Sequence, residues 1–194
     1  MTTATLPILE AAVLVVVAPL CGVALAVRRL RGAAPAAALF TAALTVSALW
    51  TVVALGWSAG SGRALVSYAT VGTIGYALAA LGAWSGSVLR DPLDAAACSM
   101  SIALLAAFSI FAAGPLAANL PTPVVNLALI ASPIVSAASA ADVDLFRTDL
   151  LYRISPLAHG RFDYPAWFTP LAAYGMLLMI SLAGTARALR KGWL

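Results

Sequence analysis

Charged side chains are scarce in this 194-residue sequence, where Asp, Glu, Lys and Arg together make up 9%. A soluble domain carries about a quarter, so this chain lacks the polar surface needed to enclose a folded core in water. Histidine occurs once, which excludes bis-histidine haem ligation within the chain and leaves no His/Cys set for a metal. The two cysteines, Cys21 and Cys98, lie far apart inside apolar blocks. They have neither zinc spacing nor a disulfide framework, and they read as small core residues. Nothing spells Gly-xxxx-Gly-Lys-Ser/Thr, so the chain is not itself a nucleotide-driven motor. Residues 1–6 carry no basic side chain, and the apolar run after them is too long for a signal-peptide core, so the first segment reads as retained.

What is present is hydrocarbon. Hydrophobic residues make up 63% of the chain and the mean hydropathy is +1.00. Apolar blocks fall at residues 7–27, 34–57, 65–89, 95–113, 124–141 and 167–186. A helix rises 1.5 Å per residue, so about twenty apolar residues match one hydrocarbon thickness. The expectation is a single all-α domain over residues 1–194. It would be a polytopic membrane helix bundle of five to six transmembrane helices, with a short interfacial or re-entrant cap before the last helix. The net charge is +4 with a pI near 9.5. The basic residues flank the apolar blocks, which marks membrane anchors and a lipid bilayer as partner, not nucleic acid.

Arg28, Arg29 and Arg31 follow the first block and form the strongest cytoplasmic mark. Glu10 lies about a turn inside that block, where a carboxylate is either a functional group or one that snorkels to the interface. Trp50, Trp57, Trp167 and Trp193 fit interfacial belts. In the third block, Gly82 and Gly86 have the Gly-xxx-Gly spacing that lets helix backbones approach closely, within the chain or between copies. Arg90-Asp91-Pro92 closes that block, with Pro92 suited to the first turn of the next helix. Ser99, Ser101 and Ser109 in the fourth block are expected to bond across helices. The fifth block is short and holds Asn126, Ser132, Pro133, Ser136 and Ser139, so it spans weakly or dips in and returns. The positive-inside rule ties between six crossings and five. The undiluted charge of Arg187, Arg190 and Lys191 favours five, with the carboxyl terminus in the cytoplasm.

Polar chemistry concentrates in residues 141–167. This stretch holds Asp142, Asp144, Arg147, Asp149, Arg153, His159, Arg161 and Asp163. Asp142, Asp144, Asp149, His159 and Asp163 could be imagined around a divalent ion. The structural alternative is favoured: Asp142 or Asp144 as a helix N-cap, and Asp149 paired with Arg153 at i, i+4. No metal, no cofactor and no catalytic set is therefore expected. An intramembrane enzyme needs two convergent polar groups at depth, and none stands out. Residues 144–154 read as a short amphipathic helix lying on the membrane and ended by Ser155-Pro156. The eight polar residues are candidates for gating or partner contact.

Leu151-Tyr152-Arg153-Ile154-Ser155-Pro156-Leu157-Ala158-His159, followed by a last helix with a basic end, resembles the final part of ATP-binding-cassette type-2 permeases. Ala131-Ser132-Pro133 fits the same pattern, and the resemblance covers about 70 residues. It implies short re-entrant helices on the outer face, a cytoplasmic carboxyl terminus, and pairing as a homo- or hetero-oligomer with a separate cytoplasmic ATPase. Members of that family have six crossings and a cytoplasmic amino terminus, whereas the five-crossing reading puts this amino terminus outside. Docking of the ATPase would fall on Arg28, Arg29, Arg31 and Arg90. The alternative from a different class is a structural or accessory subunit of a larger membrane complex. The alanine-rich composition points to a bacterial cytoplasmic membrane.

Overall fold

The computed structural model describes residues 6–27, 49, 53, 61–89, 91–113, 120–145 and 164–190. Among the described residues there are six helices and no strand: α1 (Leu6–Val27), α2 (Ser61–Val88), α3 (Pro92–Ala113), α4 (Thr122–Ala131), α5 (Pro133–Ala141) and α6 (Phe168–Arg190). Four contain stretches long and apolar enough to cross a membrane: Leu6–Val27, Leu65–Val88, Pro92–Phe111 and Phe168–Ala188. The chain is a helical membrane bundle. The expected second span, residues 34–57 with Trp50, lies outside the described residues apart from Leu49 and Val53, which are helical and exposed.

The bundle is built around α2. In its spanning stretch 61% of the residues are buried, against 17% for α6. Lipid tails are as apolar as leucine, so helices associate in a membrane through close packing and interhelical hydrogen bonds. The α1–α2 contact shows the first of these. A methyl group at Gly22 would collide with the Ala79 carbonyl oxygen, and one at Gly82 would collide with that of Pro19. At Gly86 it would lie 2.9 Å from the Ala26 Cβ. These contacts pair increasing numbers with increasing numbers, so α1 and α2 run parallel. Gly184 of α6 sits against the Trp84 indole, level with the last turns of both helices, so α6 runs the same way. The chain thus leaves α1 at one end of the bundle and enters α2 at the other.

Helix α3 returns. Pro92 opens it with three residues between it and the end of α2, and Asp91 Oδ1 accepts the Leu93 N–H at 2.8 Å. Proline at the first helical position has no N–H to leave unbonded. Ser99 and Ser109 of α3 bond within their own helix, contrary to the interhelical expectation. Ser99 Oγ donates to Ala95 O at 2.8 Å and Ser109 Oγ to Ala106 O at 3.1 Å, while Ser101 is exposed. Reaching back to i−3 or i−4 satisfies a serine hydroxyl in hydrocarbon at only a slight cost to the helix.

Two ends can therefore be named. The basic end is where α1, α2 and α6 finish and α3 begins; the cap end is the opposite one.

Candidate functional site at the cap end

The fifth apolar block is two helices bent by 84° at Ser132. Ser132-Pro133 dictates the break, because proline disfavours a helical residue before it and cannot donate into the preceding turn. A break in hydrocarbon leaves backbone groups that must be satisfied by protein, and here side chains do it. Tyr174 OH donates to Ala131 O at 2.6 Å and Ser136 Oγ to Ile130 O at 3.2 Å. Ser132 Oγ takes the cap position of α5, 3.5 Å from the Val135 N–H, and donates to Ala107 O of α3 at 3.0 Å.

The two arms of the break enter and leave at the same end. Val125 and Leu129 of α4 and Val135 and Ala138 of α5 share a cluster with Ile110, near the end of α3, and with Leu145; Ile8 and Tyr164 pack against it. Ile8 opens α1 and Tyr164 precedes α6, so this cluster belongs to the cap end. The exit of α5 is fixed there twice over. Ser67, early in α2, donates from Oγ to Ala140 O at 3.1 Å, and Ser139 Oγ donates to Pro165 O at 2.7 Å. The pair α4–α5 thus has the layout of a re-entrant pair: its break lies at the level of Ala107 and Tyr174, and its exit is held at the cap end.

A cavity of about 460 Å³ opens where α5 ends and α6 begins, lined by Asp142, Asp144, Tyr164 and Trp167 among others. Asp142 closes α5. It has φ 56° and ψ 42°, and Asp142 N–H bonds Ser139 O while Val143 N–H bonds Ala138 O. That pair of bonds is a Schellman motif, in which the left-handed residue is usually glycine. Asp144 Oδ1 accepts from Tyr164 OH at 3.0 Å. Both carboxylates are exposed beside Trp167, itself in T-shaped contact with Phe168.

Of the candidate site residues, Glu10, Asp142 and Asp144 share this end; Glu10 is half-buried in α1, about 6 Å along the axis from its start. Arg147, Asp149, Arg153, His159, Arg161 and Asp163 lie outside the described residues, as do the Ser155-Pro156-Leu157 run and the expected amphipathic helix beyond Leu145. Arg28, Arg29, Arg31 and Arg90 also lie outside them. Among the described residues no three His, Cys, Asp or Glu side chains group closely enough to hold a metal. Gly82 and Gly86 face α1 of the same chain, so their surface is already occupied.

Sequence reasoning passed over Tyr164, Tyr174, Ser67 and Gly22. Gly22 was legible, since Ala18 and Gly22 have the same four-residue spacing of small residues as Gly82 and Gly86; the tyrosine hydroxyls were not. Gly56-Trp57-Ser58-Ala59-Gly60 spells Gly-x-Ser-x-Gly, but lies outside the described residues. A hydrolase elbow needs a strand feeding a helix, and the described residues contain no strand. Compared with protein-family models, curated proteins and solved structures, the chain matches none.

Proposed function

We propose that this chain is the membrane-spanning, permease-like subunit of an ATP-driven exporter in a bacterial cytoplasmic membrane. The observation that supports it is the broken pair α4–α5, which enters and leaves at the cap end immediately before the last crossing. Type-2 permeases of the ATP-binding-cassette class carry their outer re-entrant helices at this place. Orientation follows from charge. Arg28, Arg29 and Arg31 come directly after α1, Arg90 lies between α2 and α3, and Arg187 and Arg190 close α6. Clustered arginine is retained in the cytoplasm, so the basic end is inside and the cavity at Asp142 and Asp144 faces out. The chain is not an enzyme in this reading, and energy comes from a separate ATPase docked on the basic end. The described core is alanine, valine, leucine and isoleucine with Tyr174, whose hydroxyl is already bonded to Ala131 O, so in this reading the substrate route runs between two subunits and not through one.

One observation favours the second reading, an accessory subunit of a larger membrane complex. Only three residues separate α2 from α3, which leaves little ordered surface at the basic end for an ATPase to grip. Mass spectrometry of the tagged protein purified in mild detergent tests the choice. A stoichiometric ATPase is expected, and stable partners without one would overturn the exporter reading. Replacing Arg28, Arg29 and Arg31 by glutamine should uncouple ATP hydrolysis from transport while the complex stays assembled.

A further inference from the structure

A second groove, also about 460 Å³, lies between the last turns of α2 and α6. Its walls are Trp84 and Val88 on one side and Ile180, Ala183, Gly184 and Ala188 on the other, with Arg187 at its mouth. Arg187 is exposed and has no carboxylate partner among the described residues; the Asp91 carboxylate is engaged by the Leu93 N–H. Gly184 leaves room for the Trp84 indole, whose Nε1 lies directly beside it and makes no hydrogen bond among the described residues. The groove therefore has an apolar floor and two donors, one of them cationic.

Its depth identifies what fits. Twenty residues separate Trp167 from Arg187, about 30 Å of helix, so a Trp167 at one interface puts Arg187 at the opposite headgroup layer. Ile180, about two turns to the hydrocarbon side of Arg187, is 53% exposed, and Ala183 between them is exposed as well. A ligand must then be anionic at the interface and apolar one to two turns deeper. We propose that this groove holds one anionic phospholipid, its phosphate on Arg187 and the Trp84 N–H, and an acyl chain along Ala183 and Ile180. Arg190, at the end of α6, does not line the groove and supplies only general positive charge. The inference does not depend on the exporter reading.

The test is native mass spectrometry of the full chain released from nanodiscs containing phosphatidylglycerol and phosphatidylcholine with identical acyl chains. Wild type is expected to retain one phosphatidylglycerol with about fivefold preference, the effect of one interfacial cation. Arg187→Gln should lose that preference, whereas Arg187→Lys and Arg190→Gln should keep most of it. Ala183→Phe, which fills the groove from an exposed position, should lower retention of both lipids. Equal loss in the Arg187 and Arg190 glutamine variants would overturn the proposal in favour of diffuse surface charge. So would a dimer without bound lipid, which would show that a second copy covers the groove.

Discussion

At the scale of single residues, small side chains decide how close the helices come. Gly72 and Gly175 have nothing within 4 Å of an added methyl, whereas Gly22 and Gly82 meet the backbone of the opposite helix. Backbone cannot turn aside as a side chain can. Gly22→Ala and Gly82→Ala should each destabilise the bundle by about 1–3 kcal/mol, measured by denaturant titration in mixed micelles. Gly72→Ala should be neutral, or stabilising by up to about 1 kcal/mol through helix propensity; equal losses at Gly72 and Gly82 would refute the close crossing. Asp142 is a second such position. Its left-handed conformation is tolerated by glycine and strained for a β-branched side chain. Asp142→Val should cost at least about 1 kcal/mol more than Asp142→Gly in the same titration. Gly-xxx-Gly in α2 was readable because its spacing is helical. The left-handed aspartate was not, because the same residue in the same stretch serves equally well as the N-cap of a following helix.

At the scale of elements, the broken pair α4–α5 stands out because it places backbone ends inside hydrocarbon and then answers them with hydroxyls. Ser132-Pro133 made the break legible, and the serines of the fifth block marked it as unlike its neighbours. What was not legible was the destination of each hydroxyl. Ser99 and Ser109 lie in a continuous helix whose own carbonyls are within reach, so they bond locally. Ser132 and Ser139 sit where helices end, and they bond to other elements. Sequence shows the residue type, but the choice between local and distant acceptor depends on where the helix stops. Tyr174→Phe removes only the hydroxyl that reaches Ala131 O. Interhelical bonds in membranes contribute about 0.6 kcal/mol on average and up to about 1.7. A buried carbonyl at a helix break belongs near the upper figure, so a loss of about 1–2 kcal/mol is expected. Ser109→Ala, which deletes an intrahelical bond alone, should change stability by less than half of that. Hydrogen exchange at residues 128–136 should rise in the tyrosine variant and not in the serine one, and similar exchange in both would remove the tyrosine from the account.

At the scale of the whole molecule, the count of crossings rests on geometry that charge alone left balanced. Moving the fifth block in or out of the count exchanges the arginines of residues 141–167 for those at the carboxyl terminus, and the positive-inside rule returns the same balance either way. Contacts between distant parts of the chain favour the non-crossing arrangement: Ser67 with Ala140, Ser139 with Pro165, and Ile110 with Leu145 in one cluster. Each brings an end of α3, α5 or α6 to the same side as the start of α2. The consequence can be tested with single cysteines, after replacing the exposed Cys98 and the half-buried Cys21 by serine and alanine. A re-entrant pair puts Leu120, before α4, and Asp142, after α5, on one side of the membrane, whereas a broken span puts them on opposite sides. Both are exposed. Leu120→Cys, Asp142→Cys and Ala166→Cys should therefore all react with an impermeant maleimide added outside intact cells, and Asp91→Cys should react only after permeabilisation. If Leu120→Cys and Asp142→Cys label from different sides, α4–α5 crosses the membrane, the carboxyl-terminal arginines move outside, and the similarity in layout to type-2 permeases disappears with them.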